Sequence, residues 1–112
     1  FIMNDILSDM GASVYRAING HDAVEKYLKS SENFFHLILM DVRMPVLNGY
    51  EATRIIRKSK RNDSSSIKII ALSANSFDKD IEESLRSGMD SHLIKPLNAM
   101  DLRLTLRKVL KI

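Results

Sequence analysis

The sequence predicts an α/β domain built on a parallel sheet, and three observations carry the prediction. Two nearly continuous apolar runs, Phe35 to Met40 and Ile67 to Leu72, read as strands buried on both faces. Segments of helical spacing separate the strand-like runs, the alternation that calls for right-handed crossovers within one sheet. Asp41, Ser73 and Lys95 each follow an apolar run. A parallel sheet would therefore bring a carboxylate, a hydroxyl and an amine to one edge, the edge where open α/β sheets bind ligands.

The elements follow in order. Ile2, Met3, Ile6, Leu7 and Met10 recur at helical spacing, and Gly11 supplies a left-handed cap, so the chain is expected to start inside a helix. Ala12 to Ala17 reads as a short strand, and Asn19-Gly20 as a turn into a helix from about His21 to Lys29. After the Phe35 to Met40 strand and the Asp41 loop, Tyr50 to about Lys58 has helical character. Lys60 to Ser66 is a polar loop before the strand at Ile67, which Lys68 alone interrupts. Asp78 is placed to cap a helix running to Arg86 and ended by Gly88. Ser91 to Ile94 is a short strand. Asn98 caps a final amphipathic helix carrying Leu102, Leu106, Val109 and Leu110.

At 112 residues the chain is expected to form one domain with a real core. It has no cysteine, which excludes disulfides and thiolate metal sites. No apolar run reaches the roughly 20 residues of a membrane span, and no secretory signal pattern opens the chain, so a cytoplasmic protein without membrane contact is expected. The chain begins with Phe1 and reads as an excerpt of a longer protein. The net charge is +3, with cations gathered at Arg54, Arg57, Lys58, Lys60 and Arg61. They stand at a helix end and in the loop after it, where cations complement the helix dipole, and no aromatic residues interleave them. Nucleic acid is accordingly an unlikely partner.

Asp41, at a strand's C-terminal end, could serve as nucleophile, metal ligand or both, or simply cap its loop. Pro45 stiffens that loop, and Gly49 permits close approach or an unusual dihedral before the helix. The Ser73 hydroxyl could bond an oxygen of a group held at Asp41, or cap the next turn. Pro96 forces the backbone of Lys95 into a defined turn. The ammonium of Lys95 could then bridge Asp41 and a phosphoryl oxygen, although a lysine at a strand end is more often simply solvated.

The segments Asp41-Val-Arg-Met-Pro-Val-Leu-Asn-Gly49, Ala71-Leu-Ser-Ala-Asn75 and Gly88-Met-Asp-Ser-His-Leu-Ile-Lys-Pro96 resemble, in order and spacing, the three signatures of response-regulator receiver domains. The resemblance covers essentially the whole chain. It implies a flavodoxin-like doubly wound parallel sheet of order 2-1-3-4-5. It implies that Asp41 accepts a phosphoryl group from a phosphohistidine on a sensor histidine kinase or histidine phosphotransfer domain. Ser73 would be the switch hydroxyl, Lys95 the phosphate-contacting cation, and Arg43 the donor of a backbone carbonyl to Mg²⁺. His92 takes the place of the family's switch aromatic, or is an edge-strand residue without that role. The last segment is similar to receivers attached to hybrid sensor kinases, which implies phosphorelay rather than DNA binding.

The chain departs from the family at its start. Receivers open with an apolar strand ending in paired acidic residues that hold Mg²⁺, and this sequence shows no such strand. Asp5 and Asp9 fall among the polar positions of the first helix. Mg²⁺ takes about six oxygen ligands, so Asp41 and one carbonyl imply weak or absent binding. The strand would lie between Ala12 to Ala17 and Phe35 to Met40. Residues upstream of this chain are expected to supply it, ahead of direct pairing of the two neighbours or strand exchange in a homodimer. The leading expectation is a phosphoacceptor receiver. The alternative is a pseudo-receiver that binds partners without phosphorylation. An aspartate-nucleophile phosphohydrolase is disfavoured, because Arg43 stands where such enzymes carry a second aspartate, and no enzymatic activity is expected.

Overall fold

A computed structural model of the chain describes residues 11, 13, 15, 20–41, 48–73, 78–95 and 98–111. Seven elements follow one another: α1 (Gly20–Lys29), β1 (Leu37–Asp41), α2 (Gly49–Lys58), β2 (Lys68–Ser73), α3 (Asp78–Ser87), β3 (Ser91–Ile94) and α4 (Ala99–Leu110). The expected first helix and most of the expected Ala12 to Ala17 strand lie outside the described residues, as do Arg43, Pro45 and Pro96.

The three strands form a parallel sheet of order β1-β2-β3. Leu37 pairs with Lys68 and Asp41 with Leu72; Ile70 pairs with Ser91 and Ser73 with Ile94. The two-residue alternation of the strands divides the core between the faces of the sheet. Ile69 and Ala71 join Met40, Val24 and Tyr27 of α1, and Ala52 and Ile56 of α2. Ile70 and Leu72 join Leu93 and, from α4, Leu102 and Leu106. Helices thus cover both faces, which makes the fold the doubly wound flavodoxin-like one, with three strands among the described residues.

Burial of the strands differs from the sequence expectation in one respect. β2 is buried from Ile69 to Ser73, but Leu37, Ile38 and Leu39 of β1 are half-buried and Met40 alone in that run is fully buried. The reason is position. β2 has a hydrogen-bonded strand on each side, whereas β1 pairs along one edge among the described residues.

The helix ends follow local chemistry. Asn48 accepts the Glu51 N–H at 2.9 Å while Glu51 accepts the Asn48 N–H at 3.4 Å, a reciprocal capping box at the start of α2. Asn98 accepts from Met100 N–H at 2.8 Å and Asp101 N–H at 3.3 Å. α4 then ends at Lys111 in the left-handed conformation, φ 58°. At the pole opposite Asp41, Arg61 closes α1. Its Nη1 donates to the carbonyls of Tyr27 at 2.7 Å, Leu28 at 3.2 Å and Ser30 at 2.6 Å, three acceptors at a helix C-terminus. The same guanidinium lies 4.4 Å from the centroid of the Tyr27 ring and donates to the buried carboxylate of Asp63 at 3.0 Å.

Candidate functional site

Parallel pairing places the C-terminal ends of β1, β2 and β3 on one edge of the sheet. Asp41 is the last residue of β1, Ser73 the last of β2, and Lys95 follows β3 directly. Lys95 N–H donates to the Ser73 carbonyl at 2.7 Å, extending the ladder by one bond and fixing where the lysine leaves the sheet. Its ammonium then forms an ion pair with the carboxylate of Asp41. Both side chains are partly solvated, whereas Ser73 is 2% exposed. The three strand-end residues named from the sequence are therefore neighbours, with direct bonds from Lys95 to each of the other two.

The helix after the site begins on the same edge. Gly49 is buried as the first residue of α2, and its carbonyl accepts the Thr53 hydroxyl at 2.8 Å. The positive-φ glycines among the described residues are Gly11 and Gly88, so Gly49 does not take the unusual dihedral that its place before the helix allowed. His92 is half-buried on β3, and its Nδ1 lies 3.1 Å from the Ser84 hydroxyl of α3. Beside it, a cleft of about 290 Å³ runs between β3 and α4, lined by His92, Leu93, Ile94, Asn98, Asp101, Leu104 and Thr105.

Divalent-metal chemistry at Asp41 needs several oxygen donors around one point. Among the described residues, no group of three or more His, Asp or Glu side chains could hold a metal ion. The donors among the described residues do not fit Mg²⁺, and Arg43, the expected carbonyl ligand, lies outside them. The expectation that Asp41 is a phosphoacceptor is corrected on this ground. The charge of its carboxylate is met by Lys95, with no metal-holding acidic cluster beside it among the described residues.

Three cations of the basic stretch, expected only to complement the helix dipole, have partners within the chain, and the first, Arg54, pairs with Glu83 of α3. Arg57 donates to the carbonyls of Gly88, Ser64 and Ile67 and to Asp90, and Arg61 forms the clip at the end of α1. Asp90, inside the Gly88 to Pro96 segment, is a further structural carboxylate, bonded to Ile69 N–H and Arg57. Its signal is its place immediately before an edge strand. No helix among the described residues is long and apolar enough to cross a membrane.

Comparison with known proteins agrees with this architecture. The profile of the response regulator receiver domain matches residues 1–107. The chain is 36% identical over 110 residues to the peroxide stress-activated histidine kinase mak1 of Schizosaccharomyces pombe, covering 97% of this chain and 7% of that protein. It is 38% identical over 103 residues to the sensor protein GacS of Pseudomonas syringae, covering 90% of this chain and 11% of that protein. It thus spans about a tenth or less of these two curated relatives. Among solved structures, the receiver domain of the sensor histidine kinase PA1611 from Pseudomonas aeruginosa, which has a magnesium ion coordinated in its active site cleft, superposes with a TM-score of 0.84 at 33% identity. That match covers 99% of this chain and 87% of that one. The Saccharomyces cerevisiae receiver domain of Ssk1, crystallised with the histidine phosphotransfer protein Ypd1, gives a TM-score of 0.83 at 32% identity, covering 96% of this chain and 77% of that one.

Proposed function

The chain belongs to the response regulator receiver domain family, and from that premise we propose that it is a non-enzymatic interaction module of two-component signalling, a pseudo-receiver that binds its partner without taking a phosphoryl group. One observation carries the reading. Lys95 meets the charge of Asp41, while no metal-holding acidic cluster is present among the described residues. A carboxylate in that setting has the cation that neutralises it, but not, among the described residues, the acidic cluster that would hold a divalent ion against an incoming phosphoryl group.

The partner is a sensor histidine kinase or a histidine phosphotransfer domain. Support comes from the family itself, from relatives that are histidine kinases, and from the similar receiver crystallised against a phosphotransfer protein. The module would present one fixed surface, because the Asp41–Lys95 pair and the Lys95–Ser73 main-chain bond tie together the ends of all three strands.

Calorimetric titration with a histidine phosphotransfer domain, beside intact-mass analysis after incubation with a small phosphodonor and Mg²⁺, tests the reading. Binding that is equal for the native chain and Asp41→Asn, with no phosphoryl gain in mass, is expected. A phosphoryl gain that disappears in Asp41→Asn overturns it.

A further inference from the structure

β3 has four residues and, among the described residues, pairs with β2 alone. A short edge strand of this kind has few ladder bonds to hold its register, and a slip of one residue would turn every side chain to the other face. The position of Lys95 depends on that register. Asp41 is level with Leu72 and Leu72 with Leu93, and Lys95 stands two residues beyond Leu93 on the same alternation. A one-residue slip would carry Lys95 about 3.3 Å along the sheet and onto the wrong face, out of reach of Asp41.

The opposite end of β3 holds an anchor that its own ladder does not provide. Asp90 binds Ile69 twice: its N–H donates to the Ile69 carbonyl at 2.7 Å, and its Oδ2 accepts the Ile69 N–H at 2.8 Å. That same oxygen accepts from Arg57 Nη2 at 2.9 Å. Arg57 in turn donates to the Gly88 carbonyl at 2.9 Å on the approach to β3, and to Ile67 at 2.6 Å and Ser64 at 3.0 Å on the approach to β2. One planar guanidinium therefore spans the lead-in segments of both strands, a task suited to its fixed fork of donors.

We infer that Arg57 and Asp90 are positioning residues: they lock the register of β3 against β2, and through it place Lys95 on Asp41 from the far end of the strand. The relationship stands apart from the choice of partner and from whether Asp41 is ever modified.

The test is the acetylation rate of individual lysines in the full chain, followed by mass spectrometry below the unfolding transition. Asp41→Asn is the reference for a released Lys95. Asp90→Ala is expected to raise labelling of Lys95 toward that reference, by about fivefold, the factor that corresponds to about 1 kcal/mol for a partly exposed ion pair. Lys58 and Lys60 should label as in the native chain, and Asp90→Asn, whose amide oxygen can still accept from Ile69, should restore most of the protection. If Asp90→Ala does not fold, Arg57→Lys, which keeps the charge but loses the fork, reads the same quantity. Lys95 labelling that stays native in the folded variant, or that rises only together with all other lysines, overturns the inference. So does a native-like Lys95 rate in Asp41→Asn, which would show that there is no pair to position.

Discussion

The hydroxyl of Tyr27 donates to Asp63 Oδ1 at 2.7 Å, a bond that joins residues 36 positions apart in the chain. Asp63 also accepts the Asn33 N–H at 2.8 Å and the two donors on one edge of the Arg61 guanidinium, Nε at 3.0 Å and Nη2 at 3.2 Å. The carboxylate is buried and every bond made to it favours its charged form. Removing it by Asp63→Ala strands the Arg61 charge and the Tyr27 hydroxyl, and should cost about 3 kcal/mol. Tyr27→Phe removes one bond and should cost about 1 kcal/mol. Urea unfolding of both variants gives the order, and an equal loss for the two would contradict it.

The same cluster sets the pH dependence of stability. The hydrogen bonds from Arg61, helped by Asn33 N–H and Tyr27, hold the Asp63 carboxyl well below its ordinary 3.8, against the opposing effect of burial. A group depressed on folding contributes stability above its unfolded value and loses it as pH falls toward the folded one. The native chain should therefore weaken between about pH 4 and pH 2, and Asp63→Asn should lack that limb of the curve. Burial, then the Asp63 bond, pushes the Tyr27 phenol from 10.0 up to about 12. That contribution is complete below pH 10.0 and lost as pH rises through about 12, so Tyr27→Phe should flatten the alkaline limb.

Gly88 has φ +105°, and a Cβ built there would stand 2.9 Å from Arg57 Cγ. Gly11 has φ +86° with nothing within 4 Å of a new Cβ. Gly11→Ala should cost about 1 kcal/mol of backbone strain alone. Gly88→Ala should cost about 1 to 2 kcal/mol more, because Arg57 must move and surrender bonds to Gly88, Ile67 and Asp90. Thermal unfolding distinguishes the two positions, and equal shifts would show that Arg57 gives way freely.

Asn48 holds the first turn of α2 through its reciprocal bonds with Glu51. Asn48→Ala should lower stability by about 1 kcal/mol, and Asn48→Asp should retain the cap because the carboxylate also suits the helix N-terminus. An alanine variant as stable as the native chain in urea would remove the cap from the account of α2.

Much of the fold is legible along the chain. The apolar runs ended by Asp41, Ser73 and Lys95 place three strand ends, and Asn98 with Leu102 and Leu106 describes α4 as found. Legibility fails where a side chain's partner is distant in sequence. Arg57 and Arg61 belong to the same basic stretch as Lys58 and Lys60 and cannot be told from them by spacing. Yet Arg57 reaches Asp90, 33 positions on, and Arg61 reaches Ser30, 31 positions back. The half-burial of β1 is similar, since Leu37 to Leu39 are as apolar as the residues of β2 and differ from them in which edges are paired among the described residues.

The alternation of strands and helices, the parallel sheet, the edge where Asp41, Ser73 and Lys95 gather, and the family are all written in the order of residues along the chain. All of these follow from local periodicity, caps and short motifs, because backbone hydrogen bonding and burial repeat with a fixed period. Which distant groups meet rests on tertiary structure: Lys95 bonds both Asp41 and Ser73, Arg54, Arg57 and Arg61 find partners within the chain, and Asp63 and Asp90 are structural carboxylates. Those outcomes depend on register and on which segments cross in space. A charged side chain's partner is chosen by distance in three dimensions, and periodicity along one dimension carries no record of it.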